Sequence, residues 1–221
     1  MIYVGRGPEP GVLFSRTELV HLLIGGGAVL AAWVLSDVGP AALRGYLTMD
    51  LVLVSLLIGG LGIGTGFLLH ELSHKFVARH FGSWAEFRRS KTSWLVISII
   101  VAISGFFFAM PGAVISAGHT DRRKNGIISG AGPATNLAVA AGLLPLYLLM
   151  GGPASIGFVP YVIGSVIFLN AFLGAFNMVP IEILPGLKFD GMKVLDWNKA
   201  IYAGLMAPLA ALTVLFFFGI L

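Results

Sequence analysis

The stretch Phe67 to Lys75 reads Phe-Leu-Leu-His-Glu-Leu-Ser-His-Lys and sets His70, Glu71 and His74 in the spacing H-E-x-x-H. On a helix, residues four apart share a face, so His70 and His74 can offer two imidazoles to one metal ion with Glu71 beside them. In zinc hydrolases this arrangement supplies two ligands and a general base aimed at a metal-activated water. Five characters recur by chance, but these lie in an otherwise apolar run. Ionisable residues are costly there, and their default reading is functional. The structural alternative is a helix end whose His and Glu side chains reach out to interfacial water.

A catalytic zinc takes three protein ligands and keeps one position open. The further donors that the chain order offers are Glu182, Asp190 and Asp196, with His119 and Asp121 after the middle apolar segment. The chain has no cysteine, which excludes thiolate ligands and disulfides.

The elements that must carry these donors are membrane elements. The 221 residues are 57% hydrophobic and only 11% charged, with a mean hydropathy of +0.93, whereas soluble domains carry about 25% charge. The formal charge of +4 comes from basic residues grouped at the ends of apolar runs, where they report topology. A nucleic-acid partner is not expected. The polar start, Met1 to Arg16, lacks the pattern of a cleavable signal peptide.

The expected fold is an all-α polytopic membrane protein, one domain over 1–221. Its transmembrane helices are placed at 19–36, 51–81, 128–150, 156–177 and 200–221. At 1.5 Å per residue, His70 would lie about 15 Å from the far end of the second helix, well inside the membrane. The segment 92–118, broken by Gly105 and Pro111-Gly112, is either a sixth crossing or a membrane-embedded re-entrant or β-hairpin segment. Re-entry is favoured, because a full crossing would put the two basic stretches around Arg88 and Arg122 on opposite faces. It also leaves those stretches and the Glu182 to Lys199 loop on the N-terminal face, which is expected to be cytoplasmic in a prokaryotic cell membrane.

Asp190 lies in Phe189-Asp190-Gly191, after Asn177-Met-Val-Pro180. Here the sequence resembles the site-2 protease family of intramembrane zinc metalloproteases, which pair H-E-x-x-H on one helix with an N-x-x-P…D-G segment on another. Gly132-Pro133-Ala-Thr-Asn136 is similar to the family's G-P-x-x-N segment, and Phe108 to Val114 to its membrane-embedded strand. The resemblance covers about half the chain. It implies Zn2+ held by His70, His74 and Asp190, Glu71 as the base, and Asn177 as a second catalytic residue. It further implies Phe108, Pro111, Gly112, Val114 and Asn136 as substrate-binding residues. One departure stands out: the interval from Asn177 to Asp190 is longer than the family's pattern, and it leaves Glu182 as a rival ligand. Gly191 favours Asp190, since glycine permits a tight backbone that can aim a carboxylate inward.

Blander readings stand beside these. Asn136 and Asn177 could each simply bond a neighbouring helix. Lys75, Arg79, Arg88 and Arg89 read as cytoplasmic anchors, and Trp33, Trp84, Trp94 and Trp197 as interfacial belts. The function expected is zinc-dependent endopeptidase action on a transmembrane protein substrate in the lipid bilayer. A metal-binding, non-catalytic membrane regulator and a small membrane transporter are the alternatives. A transporter would be expected to repeat half of itself, and no second copy of the Leu69 to Lys75 pattern occurs.

Overall fold

Among the described residues of the computed structural model, five helices are long and apolar enough to cross a membrane: Arg16–Leu43, Met49–His80, Arg122–Leu149, Phe158–Asn177 and Lys199–Phe217. The structure describes residues 12–118, 121–184 and 187–221. Large apolar side chains such as Leu23, Ile100 and Phe106 face outward at 76%, 61% and 62% exposure. A soluble monomer rarely presents apolar surface so freely, whereas a bilayer covers it. The protein is a multi-pass membrane protein.

In chain order the elements are α1 (Arg16–Leu43), α2 (Met49–Ile63), a π-turn (Gly64–Leu68), α3 (Leu69–His80), β1 (Trp84–Arg89), α4 (Thr92–Ile103) and β2 (Gly112–Ala117). There follow α5 (Arg122–Leu149), α6 (Phe158–Asn177), β3 (Glu182–Leu184), β4 (Leu187–Lys188), α7 (Asp190–Trp197) and α8 (Lys199–Phe217). The chain divides into two compact units. Of the described residues, one holds those up to Gly64 and Trp84–Ala117, the other Thr65–Ser83 and those from Gly118 on.

The first unit is built around α1, which packs against α2, α4 and β1. Ser15 caps α1 by accepting the Glu18 amide at 3.1 Å. The Glu18 side chain is fully buried and accepts the Phe87 amide of β1 at 2.9 Å. Trp33 donates to the Ser55 carbonyl of α2 at 3.2 Å and meets Phe107 edge-on at 5.6 Å. Trp33 is thus a packing residue, because its N–H has a partner inside the unit.

The segment 92–118 does not run straight across. Helix α4 has 12 residues, about 18 Å of rise, against a hydrocarbon core of about 30 Å. The chain then turns at Gly105 and returns as β2, antiparallel to β1, with Arg89 opposite Gly112 and Trp84 opposite Ala117. Ser90 fastens the two ends: its amide donates to the Pro111 carbonyl at 2.9 Å and its hydroxyl to the Met110 carbonyl at 2.5 Å. Ser98 of α4 adds a bond from the Met110 amide at 3.2 Å. The segment therefore leaves the end of β1 and returns to pair with it.

This sheet corrects the reading of Arg88 as a membrane-face anchor. Arg88 and Glu86 are 3% and 6% exposed and form an ion pair, and the guanidinium lies 5.8 Å from the centre of the Trp84 ring. Pairing inside the sheet offsets the cost of burying both charges.

The second unit is organised by α5, which packs against α3, α6, α7 and α8. Asp121 caps α5 through the Lys124 amide at 2.7 Å. Ala140, Tyr147, Ile167, Ala171 and Leu212 make one buried cluster, and Met178, Val194 and Leu209 another. Trp197, expected at an interface, instead packs over Gly126. Lys75, expected as an anchor, is 1% exposed on α3.

Candidate metal centre

Helix α3 carries His70 and His74 on one face as the spacing requires, with ring centroids 4.6 Å apart. Helix α7 begins with Asp190, whose Oδ2 lies 3.4 Å from His70 Nε2 and 3.0 Å from His74 Nε2. All three ligand atoms fall within 4.8 Å of one another. His70, Glu71 and His74 are 2%, 8% and 6% exposed.

The far side of each imidazole is fixed by α5. His74 Nδ1 donates to the Ile128 carbonyl at 2.7 Å, and His70 Nδ1 to Asn136 Oδ1 at 2.5 Å. Both acceptors place the proton on Nδ1 and leave the Nε2 lone pair facing Asp190, the tautomer a metal ligand needs. Ile128 and Asn136 stand two turns apart on α5, and Gly132 lies midway on the same face. A Cβ on Gly132 would contact His74 Nε2 and come within 2.5 Å of His70 Nε2. Zinc–imidazole bonds are about 2.0–2.1 Å, so the missing side chain leaves room where a metal ion belongs. Two imidazoles and one carboxylate form a donor set suited to catalytic zinc. The residues present fit the ion.

Asp190 is aimed by its neighbours. Gly191 lets the start of α7 press against the end of α6: a Cβ there would overlap the Met178 carbonyl and come within 2.7 Å of Met178 Cα. Burial pushes the Asp190 carboxyl up, but protons that His74 and His70 hold on Nε2, which a metal ion would displace, and the Lys193 ammonium outweigh it. Its pKa is held well below the ordinary carboxylate value. Lys193 Nζ lies 3.6 Å from Oδ1, leaving Oδ2 turned to the imidazoles. Asp190 is thus an anion at neutral pH, as a hard metal ligand must be.

The rival donors lie elsewhere. Glu182 is exposed on β3, in register opposite Lys188 of β4. The extra length between Asn177 and Asp190 is thus folded out as the β3–β4 hairpin, and it leaves Asp190 free to open α7. Asp196 pairs with Lys188 at 3.2 Å, Asp121 is a helix cap, and His119 lies outside the described residues.

The remaining expected residues are placed as follows. Asn136 is fully buried, with its Oδ1 against His70. Asn177 donates to the Leu173 carbonyl of its own helix at 2.9 Å. Phe108 and Pro111 precede β2, while Gly112 and Val114 lie within it, opposite Arg89 and Phe87. These four belong to the first unit and the metal centre to the second. Sequence reasoning missed Ile128 and Asn170. The four-residue step from Ile128 to Gly132 to Asn136 was the signal available for the first.

A protein of Methanocaldococcus jannaschii that bears the provisional name zinc metalloprotease is 36% identical over 198 residues, spanning 89% of this chain and 92% of its own length. The chain belongs to that zinc metalloprotease family. No family model matches it, and no solved structure matches it. As a zinc metalloprotease, it has in His70, His74 and Asp190 the residues that would hold the ion and in Glu71, adjacent to a ligand, a carboxylate of the type that serves these enzymes as base.

Proposed function

We propose that the protein is an intramembrane endopeptidase of the site-2 protease type, hydrolysing a peptide bond within or beside a transmembrane segment of another membrane protein. The observation that carries this reading is the placement of the metal centre on Met49–His80, a helix long and apolar enough to span a bilayer. His70 lies about 15 Å along that helix from His80.

Zinc, when bound, supplies a Lewis acid that lowers the pKa of a water toward about 7 and polarises the scissile carbonyl. Glu71 accepts the proton of the attacking water and delivers it to the departing amine as the C–N bond breaks. The buried setting strengthens each of these electrostatic contacts by keeping bulk water away. Asn177, matched to the family's catalytic asparagine, would exchange its bond to Leu173 for one to the substrate carbonyl.

A substrate helix must unwind before its carbonyls are accessible. The β1–β2 sheet offers a strand template to which an extended peptide can add, with Phe108, Pro111, Gly112 and Val114 forming the approach. Basic residues at Arg122, Arg123 and Lys124 support a cytoplasmic position for these loops in a prokaryotic membrane. The test is cleavage of a membrane-spanning reporter by purified protein: Glu71→Gln and zinc chelation should each abolish it, and cleavage that survives both would overturn the proposal.

A further inference from the structure

Asn170 is fully buried on α6 and has no part in the reaction described above. Its amide nitrogen donates to the Val166 carbonyl at 2.9 Å and to Thr65 Oγ1 of the π-turn at 2.9 Å. Its Oδ1 accepts from Asn136 Nδ2 at 3.4 Å. Asn136 Nδ2 also donates to the Gly66 carbonyl, again in the π-turn, at 2.9 Å. Asn136 Oδ1 then faces His70 Nδ1.

The direction of every bond in this chain is forced. A backbone carbonyl can only accept, so the atom of Asn170 facing Val166 must be the NH2 group, and so must the atom of Asn136 facing Gly66. Oδ1 of Asn136 is therefore turned to His70, where it can only accept. A rotated Asn136 would present its NH2 group, draw the His70 proton to Nε2 and remove the lone pair on the metal side.

We infer that Asn170, together with Thr65 and the π-turn, is a positioning device that locks Asn136 in the one orientation in which His70 can ligate zinc. The inference rests on His70 being a ligand. π-Turns inside helices recur at functional sites, and this one brings Thr65 and Gly66 to the two asparagines. Outer-shell partners of metal-bound histidines typically contribute 10- to 100-fold in metal affinity.

The test is a double-substitution cycle read by zinc affinity under chelator competition, with thermal unfolding of the zinc-free protein followed alongside. Asn136→Ala and Asn170→Ala should each weaken zinc binding, Asn170→Ala by about 10-fold. The pair together should lose no more than Asn136→Ala alone, because one residue acts through the other. Ile167→Ala, in the separate α6 core cluster, should lower the unfolding temperature and leave zinc affinity unchanged. Wild-type affinity in Asn170→Ala, or multiplying losses in the double variant, would overturn the inference. His70→Ala separates the two readings: zinc retained there would refute His70 as a ligand, independent of the network. Should Asn170→Ala not fold, Thr65→Val carries the same test, and affinity equal to wild type in that variant would overturn the inference.

Discussion

Gly132 faces His70 across the space that the two imidazoles and Asp190 enclose, and a Cβ on it would stand 2.5 Å from His70 Nε2. The metal site is thus defined as much by an absent side chain as by the three donors. Gly132→Ala is expected to weaken zinc binding by about 100-fold or more, at or beyond the upper end of outer-shell effects. The nearest atoms that a methyl would meet are imidazole atoms of His70 and His74, so those rings must shift while helicity should persist. Bound zinc measured on purified protein, with helicity as the control, checks this; a full equivalent of zinc in Gly132→Ala would contradict it.

Asp190 and Glu182 differ in the same measurement. Asp190→Ala should lose stoichiometric zinc, since only two of three ligands remain. Glu182→Ala should retain it, because Glu182 is exposed on β3. The reverse pattern would show that the β3–β4 hairpin refolds around the ion.

Gly191→Ala acts on the third ligand through packing. Its methyl would overlap the Met178 carbonyl, and relieving such overpacking typically costs about 1–3 kcal/mol. The free energy of unfolding should fall by that amount and zinc affinity should fall with it, because α7 cannot back away without carrying Asp190. Destabilisation with undiminished affinity would separate the helix start from the site.

The return of segment 92–118 to β1 can be tested with cysteines, which the chain lacks. Ala85 and Ser116 are opposite each other in the β1–β2 register, within the Cα separation a disulfide spans. The Ala85→Cys, Ser116→Cys pair should cross-link under mild oxidation, whereas a pair of Ala85→Cys with Ile103→Cys should not. Failure of the first pair would favour a full crossing.

Much of the metal centre could be read from residue types, because H-E-x-x-H has one structural solution on a helix and Asp190-Gly191 could be matched to a known pattern. The hairpin that absorbs the extra residues before Asp190 could not, since its strands are too short to leave a period. Lys75 and Arg88 were misread for a common reason: flanking charge usually marks a membrane face, and nothing in one dimension distinguishes a buried charge from an exposed one. The polar chain from Thr65 through Asn170 to Asn136 draws on three helices distant in sequence. Each member alone looks like an isolated polar residue in an apolar run.

The most direct measurement is mass spectrometry of the products when the purified, zinc-loaded protein is incubated with a membrane-spanning peptide in lipid vesicles. The expected result is a single cut within or beside the apolar segment, absent with Glu71→Gln. A cut confined to soluble flanking sequence, or products that persist with Glu71→Gln, would contradict intramembrane proteolysis at this centre.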